Sequence, residues 1–128
     1  MELTPNELQM MSVFWKSKTP LTGAEILKRS VNKTWKDTSL HTILKSLLAK
    51  EAIAEHGFVK DGKAISRTFV AVLTCEGYFS RFFDDCPTDE IPLLFSSLMK
   101  REDIDTETIE KMEEVIRMLR KELEKRDK

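Results

Sequence analysis

One helix-opening device is written twice near the start of the chain, and it fixes where the first two helices begin. In Leu3-Thr4-Pro5-Asn6-Glu7-Leu8, Thr4 is placed to cap a helix and Pro5 suits its first position. Glu7 completes a capping box, and Leu3 and Leu8 are spaced as a hydrophobic staple. In Leu21-Thr22-Gly23-Ala24-Glu25-Ile26 the Thr cap, the Glu three residues on and the apolar pair return. The first helix is therefore expected from Pro5 to about Lys16, with Leu8, Met11, Phe14 and Trp15 as its apolar stripe. The second should run to about Ser30 and bury Ile26 and Leu27. After a loop through Val31, Lys33, Trp35 and Lys36, Asp37 is expected to cap a third helix. Its Leu40, Ile43, Leu44, Leu47 and Leu48 recur at helical spacing.

Two strands are expected next, Ile53 to Val59 and Ala64 to Val72. They are joined at Lys60-Asp61-Gly62-Lys63, where the Asp-Gly pair favours a two-residue type I′ turn. Three helices followed by a hairpin is the order of a winged helix-turn-helix, with the third helix as reader and the hairpin as wing. The outer face of the third helix carries Thr38, Ser39, His41, Thr42, Lys45 and Ser46, and no acid intervenes between Asp37 and Glu51. A solvated helix face ordinarily mixes Glu with Lys; omission of the acids is what a phosphate-facing surface requires. Thr, Ser, His and Lys at these positions reach base edges and the thymine methyl in a major groove. Lys33 and Lys36 before the helix, and Lys60, Lys63 and Arg67 on the wing, are placed to straddle the backbone. The DNA-contacting set expected is thus Lys36, Thr38, Ser39, His41, Thr42, Lys45, Ser46, Lys60, Lys63 and Arg67. Trp15 and Trp35 are expected in or beside the core, and His56, within a strand, in a structural role.

In the second half, Thr74 opens a helix bearing Tyr78, Phe79, Phe82 and Phe83, and Cys86-Pro87 ends it. A further helix carries Ile91, Leu94, Phe95, Leu98 and Met99, with Pro92 tolerated in its first turn. Asp105 then caps a last helix in which Ile109, Met112, Ile116, Leu119 and Leu123 are spaced as an a/d seam. Fewer than three heptads do not make a stable zipper alone, so this seam belongs to a larger helical interface. Pairing two copies covers the exposed stripes symmetrically. Phe79, Phe82, Phe83, Leu94, Phe95, Leu98, Ile109, Met112, Ile116, Leu119 and Leu123 are the expected dimer contacts. The fold class expected is α+β, mainly α: a winged helix-turn-helix over residues 1–73 and a three-helix dimerisation arm over 74–128.

The 128 residues hold 21 Lys and Arg against 22 Asp and Glu, a net charge of −1 that conceals an asymmetry. Residues 1–73 carry 11 basic and 7 acidic side chains, residues 74–128 carry 10 and 15. No apolar run is long enough to cross a bilayer, and Met1-Glu2-Leu3-Thr4-Pro5 has no basic and apolar signal pattern, so a cytoplasmic protein without membrane contact is expected. Cys75 and Cys86 have neither CxxC spacing nor a His partner, so no metal site is expected, and no cofactor. No Ser/His/Asp, Cys/His or paired-carboxylate arrangement suggests catalysis. The rival to a DNA-binding repressor is a winged-helix module that binds only protein.

The opening Leu3 to Lys16, the segment Thr38-Ser39-Leu40-His41-Thr42-Ile43-Leu44 with Leu47 and Lys50, the wing with Gly62-Lys63, and the Phe82-Phe83 helix together resemble the penicillinase-repressor and methicillin-resistance-repressor (BlaI/MecI) family. The resemblance covers essentially the whole chain. It implies a homodimeric winged-helix repressor on a palindromic operator, blocking transcription of a resistance or homeostasis operon. The family often has Lys where this chain has Thr38 and Arg where it has Ser46, so base preference differs. Penicillinase-type members are cut at an Asn-Phe bond downstream of a membrane sensor protease. The aligned positions here are Ser97-Leu98, which argues against a sensor protease as partner. The Cys-x-Cys pair of the copper-responsive branch is absent from the tail, which argues against copper sensing.

Overall fold

The computed structural model describes residues 1–127 and, of Asp61, the backbone alone; Lys128, the last residue of the expected second domain, lies outside the described residues. The chain divides into two compact units, Met1–Asp84 and Asp85–Lys128. Helix α1 (Pro5–Lys16), strand β1 (Leu21–Thr22), helices α2 (Gly23–Arg29) and α3 (Leu40–Ala49), strands β2 (Ile53–Asp61) and β3 (Ala64–Ala71) and helix α4 (Cys75–Ser80) form the first unit. Both capping boxes form as written: Thr4 accepts from the Glu7 amide, Thr22 from that of Glu25, and each Glu returns the bond to the cap backbone.

Three features differ from the expectation. Leu21 and Thr22 are a strand as well as a cap, pairing with Phe69 and Thr68, so the sheet has three strands in the order β1-β3-β2. Two residues are too few to show alternation. Asp37 does not cap α3. It lies in a 3₁₀ turn, Asp37–Ser39, that leads into the helix, and its carboxylate pairs with the Lys33 ammonium at 2.7 Å. The wing is also longer, because Asp61 pairs with Ala64 and leaves Gly62 and Lys63 as the turn. Gly62 takes φ +62°, and Lys63 is not among the residues of positive φ. Gly at the first central position is the signature of type II′ rather than I′.

The first unit's core is formed by Met10, Met11 and Phe14 of α1, Leu21, Ile26, Trp35, the inner face of α3, and Ala52, Ile53 and Phe69. Helix α3 ends in a Schellman motif, with the Ala52 amide donating to the Leu47 carbonyl and that of Glu51 to Leu48, both at 3.0 Å. Glu51 takes the left-handed position at φ +59°. The Ala52 carbonyl then accepts from Val72 and Leu73, which ties the root of the wing to the end of α3.

The boundary falls eleven residues beyond the expected 73/74 because α4 packs on α1. Tyr78 is buried, its hydroxyl accepts from the Leu3 amide at 3.3 Å, and its ring lies 6.2 Å from that of Trp15. Trp15 Nε1 in turn donates to the Leu73 carbonyl at 2.8 Å. In the second unit, α5 (Ile91–Met99) carries Pro92 in its first turn, and α6 (Thr106–Arg126) is capped by Asp105, whose carboxylate accepts from the Thr108 amide at 2.8 Å.

Candidate nucleic-acid interface

Core packing of Leu40, Ile43, Leu44 and Leu47 fixes which side of α3 faces water. The exposed ridge is Thr38, His41, Thr42 and Lys45, positions that helical spacing stacks along one side. Lys36 is exposed just before it, and Ser39 is half-buried. Ser39 makes no side-chain capping bond; the preceding turn leads directly into α3, with the Leu40 amide donating to the Asp37 carbonyl.

Ser46 does not belong to this ridge. Its hydroxyl donates to Glu7 Oε2 at 2.6 Å, and Lys50 Nζ donates to Glu7 Oε1 at 2.6 Å and to the Glu2 carbonyl at 2.9 Å. Burial pushes the Glu7 carboxyl up, but the bonds from Lys50, Ser46 and Thr4 outweigh it and bring the pKa from 4.5 to about 2. Glu7 is a buried charge fully supplied with donors, and it fastens α3 to α1. A Glu that caps its own helix gives no sequence signal that it also holds another.

The wing is set by an irregularity. Glu55 opposes Phe69 and Gly57 opposes Thr68, leaving His56 as an extra residue, with Gly57 at φ +123°. His56 lies within β2 as expected, exposed at this bulge. The extra residue reverses the facing of everything after it in β2, so Phe58 and Lys60 share a face with Arg67 and Ile65, their register partners. Arg67 pairs with Glu55 and lies 5.3 Å over the Phe69 ring. It also lines a cleft of about 270 Å³ with His41, Leu44, Lys45 and Leu48. Reader ridge and wing therefore share one concave surface. Of the ten expected DNA contacts, His41, Lys45 and Arg67 meet there, Lys36, Thr38 and Thr42 are exposed beside it, Ser39 is half-buried, and Ser46 is committed to Glu7. Lys60 and Lys63 stand exposed toward the tip of the wing.

Among the expected dimer contacts, Phe79, Phe82 and Phe83 are exposed on the first unit, with the Arg81 guanidinium 4.7 Å over both the Tyr78 and Phe82 rings. On the second unit Leu94, Phe95, Leu98, Ile109, Ile116, Leu119 and Leu123 are exposed, and Met112 is half-buried. Among the described residues no group of His, Cys, Asp and Glu could hold a metal ion, and no helix is long and apolar enough to cross a membrane.

Among solved structures, the chain is similar to a mutant of MepR from a multidrug-resistant S. aureus clinical isolate. The two are 15% identical over 92% of this chain and 77% of that one, with a TM-score of 0.44. Staphylococcus aureus MarR in complex with salicylate and kanamycin is 17% identical over 97% and 75%, with a TM-score of 0.41. No curated protein matches. The family described as penicillinase repressor matches residues 3–118, which takes in α3, the hairpin of β2 and β3 and most of α6, and the chain belongs to that family of transcriptional repressors.

Proposed function

We propose that the chain is a sequence-specific repressor that binds a palindromic operator as a homodimer and blocks transcription of a resistance or stress operon by occlusion, in the cytoplasm. The observation that carries this reading is the acid-free ridge of Thr38, His41, Thr42 and Lys45 beside the basic wing. The ridge enters the major groove, where the Thr hydroxyls and methyls and the imidazole meet base edges and the Lys45 ammonium neutralises an adjoining phosphate. Lys36, exposed just before the ridge, takes a phosphate. Two copies paired through the apolar faces of α4, α5 and α6 present two reader helices to half-sites about one helical turn apart, roughly 34 Å.

Fluorescence anisotropy on the duplex upstream of the chain's own gene tests it. Expected are preference for a palindromic duplex over random sequence, a steep fall in affinity with salt, and loss of binding in Lys45→Glu. Equal affinity for both duplexes refutes sequence-specific recognition. For assembly, sedimentation should give a dimer at micromolar concentration and a monomer for Ile116→Asp; a wild-type monomer refutes that part.

A further inference from the structure

A cleft of about 370 Å³ lies between the outer side of α1 and the segment that leaves α2. Lys16, Arg29 and Lys33 all line it, Val13 and Val31 supply apolar wall, and none of its lining residues is acidic. The cations are loosely held. Lys16 makes no ion pair with any described side chain, and Arg29 reaches the Glu25 carboxylate only at 3.9 Å, at the limit of an ion pair. A concavity lined by one sign of charge focuses the field and gathers counter-ions. Its volume falls at the small end of the range for small-molecule pockets, roughly 300–1,000 Å³.

The third cation connects the cleft to α3. Lys33 Nζ pairs with the Asp37 carboxylate at 2.7 Å, and Asp37 stands in the turn that leads into the helix, between Lys36 and Thr38. The segment between is anchored: Gln9, on the cleft wall, donates to Thr34 Oγ1 and accepts from the Thr34 amide, each at 3.1 Å. An anion bound in the cleft competes with Asp37 for the Lys33 ammonium. Asp37, its side chain 67% exposed, then carries an unneutralised charge beside Lys36, where a phosphate would be repelled. We propose that this cleft is an effector site for a small organic anion, a carboxylate or phosphate on a short apolar body, and that its occupation weakens DNA binding through Asp37. The regulation rests on the DNA-binding reading; the binding site does not. Coupling of this kind is reciprocal, so the operator in turn weakens the anion.

The first test needs no DNA. Glutarate, phenylacetate and phenyl phosphate are titrated at constant ionic strength into the ¹⁵N-labelled full chain, with glutaramide, phenylacetamide and phenol as uncharged controls. At least one anion is expected to shift the amides of Ser12, Val13 and residues 30–33 saturably, its control leaving them in place. Lys16→Ala/Arg29→Ala, both at exposed positions, should weaken that binding about tenfold. No saturable shift with any of the three anions, or equal shifts in the double variant, overturns the site. The second test uses a duplex obtained by in vitro selection and fluorescence anisotropy. The saturating anion should weaken wild-type binding about tenfold and leave Asp37→Asn, which still binds the anion, unresponsive. An equal loss in Asp37→Asn refutes the route through Asp37. A flatter salt slope for Lys16→Ala/Arg29→Ala without any anion would make the cleft a seat for a DNA phosphate, and the effector proposal fails. If the wild type selects no duplex while the anions still bind, the DNA-binding reading fails and the site stands.

Discussion

The Glu7 lock gives the sharpest test of how the reader helix is held. Its carboxylate accepts from Lys50, Ser46 and the Thr4 amide, and its pKa falls from 4.5 to about 2. At roughly 1.4 kcal/mol per pH unit, the depression contributes about 3 kcal/mol. The side chain is only 4% exposed and Lys50 31%, so solvent screening removes little of it. A depressed carboxylate stabilises fully above its unfolded pKa, and that stability is lost as pH falls through the folded value. The contribution should therefore be complete at pH 7, decline from about pH 4.5 and vanish near pH 2. Glu7→Gln removes the charge and keeps the shape. Urea unfolding at fixed protein concentration should show it about 3 kcal/mol less stable than wild type at pH 7, the gap closing as pH drops toward 3. Lys50→Met should cost a similar amount, and the double variant less than the sum, because each single change strands the other partner. A gap below about 1 kcal/mol at pH 7, or one that does not narrow in acid, refutes the lock.

Three further substitutions probe the wing and its root. Glu51→Gly should raise stability by about 0.5–1 kcal/mol in thermal unfolding, because the left-handed position of the Schellman motif at φ +59° penalises any Cβ. Gly57→Ala meets no atom within 4 Å yet forces a side chain to φ +123°; a loss of about 1–3 kcal/mol by the same measurement is strain alone. Trp15→Phe removes the donor to the Leu73 carbonyl while keeping most of the ring packing on Tyr78, and should cost about 1 kcal/mol in urea unfolding.

The helices were legible because their ends are marked by side chains: Thr4 and Thr22 with their Glu partners, Asp105 with Thr108. What was not legible is carried by backbone or by distant pairing. Leu21 and Thr22 become a strand only because β3 lies beside them, and two residues cannot announce it. Asp37 has the composition of a cap, but Lys33, four residues back, competes for its carboxylate. Ser46 looks like a member of the polar ridge, yet its hydroxyl turns to a Glu 39 residues away. The bulge had a signal, a lone Gly57 inside an otherwise regular strand. It decides which β2 residues share the face of Arg67 and Phe69, so missing it misplaces Phe58 and Lys60.

Under the proposed function, the charge left free for DNA is smaller than the basic count suggests, and this bounds the salt response. Dividing at the observed boundary, Met1–Asp84 has 12 basic and 9 acidic side chains, leaving +3. Four of those cations are spent inside the unit: Arg29 on Glu25, Lys33 on Asp37, Lys50 on Glu7 and Arg67 on Glu55. Lys36, Lys45, Lys60 and Lys63, in contrast, make no ion pair with any described side chain. Four phosphate contacts per protomer, doubled in a two-fold dimer, predict a slope of log K against log[NaCl] near −7, at about −0.9 per phosphate neutralised. Arg67 can steepen it only by exchanging Glu55 for a phosphate, and Glu55→Gln, which frees the guanidinium, should therefore bring the slope to about −9. A wild-type slope no steeper than about −4 would mean that the wing lysines stand off the backbone, since α3 and its leading loop alone supply only Lys36 and Lys45 from each copy.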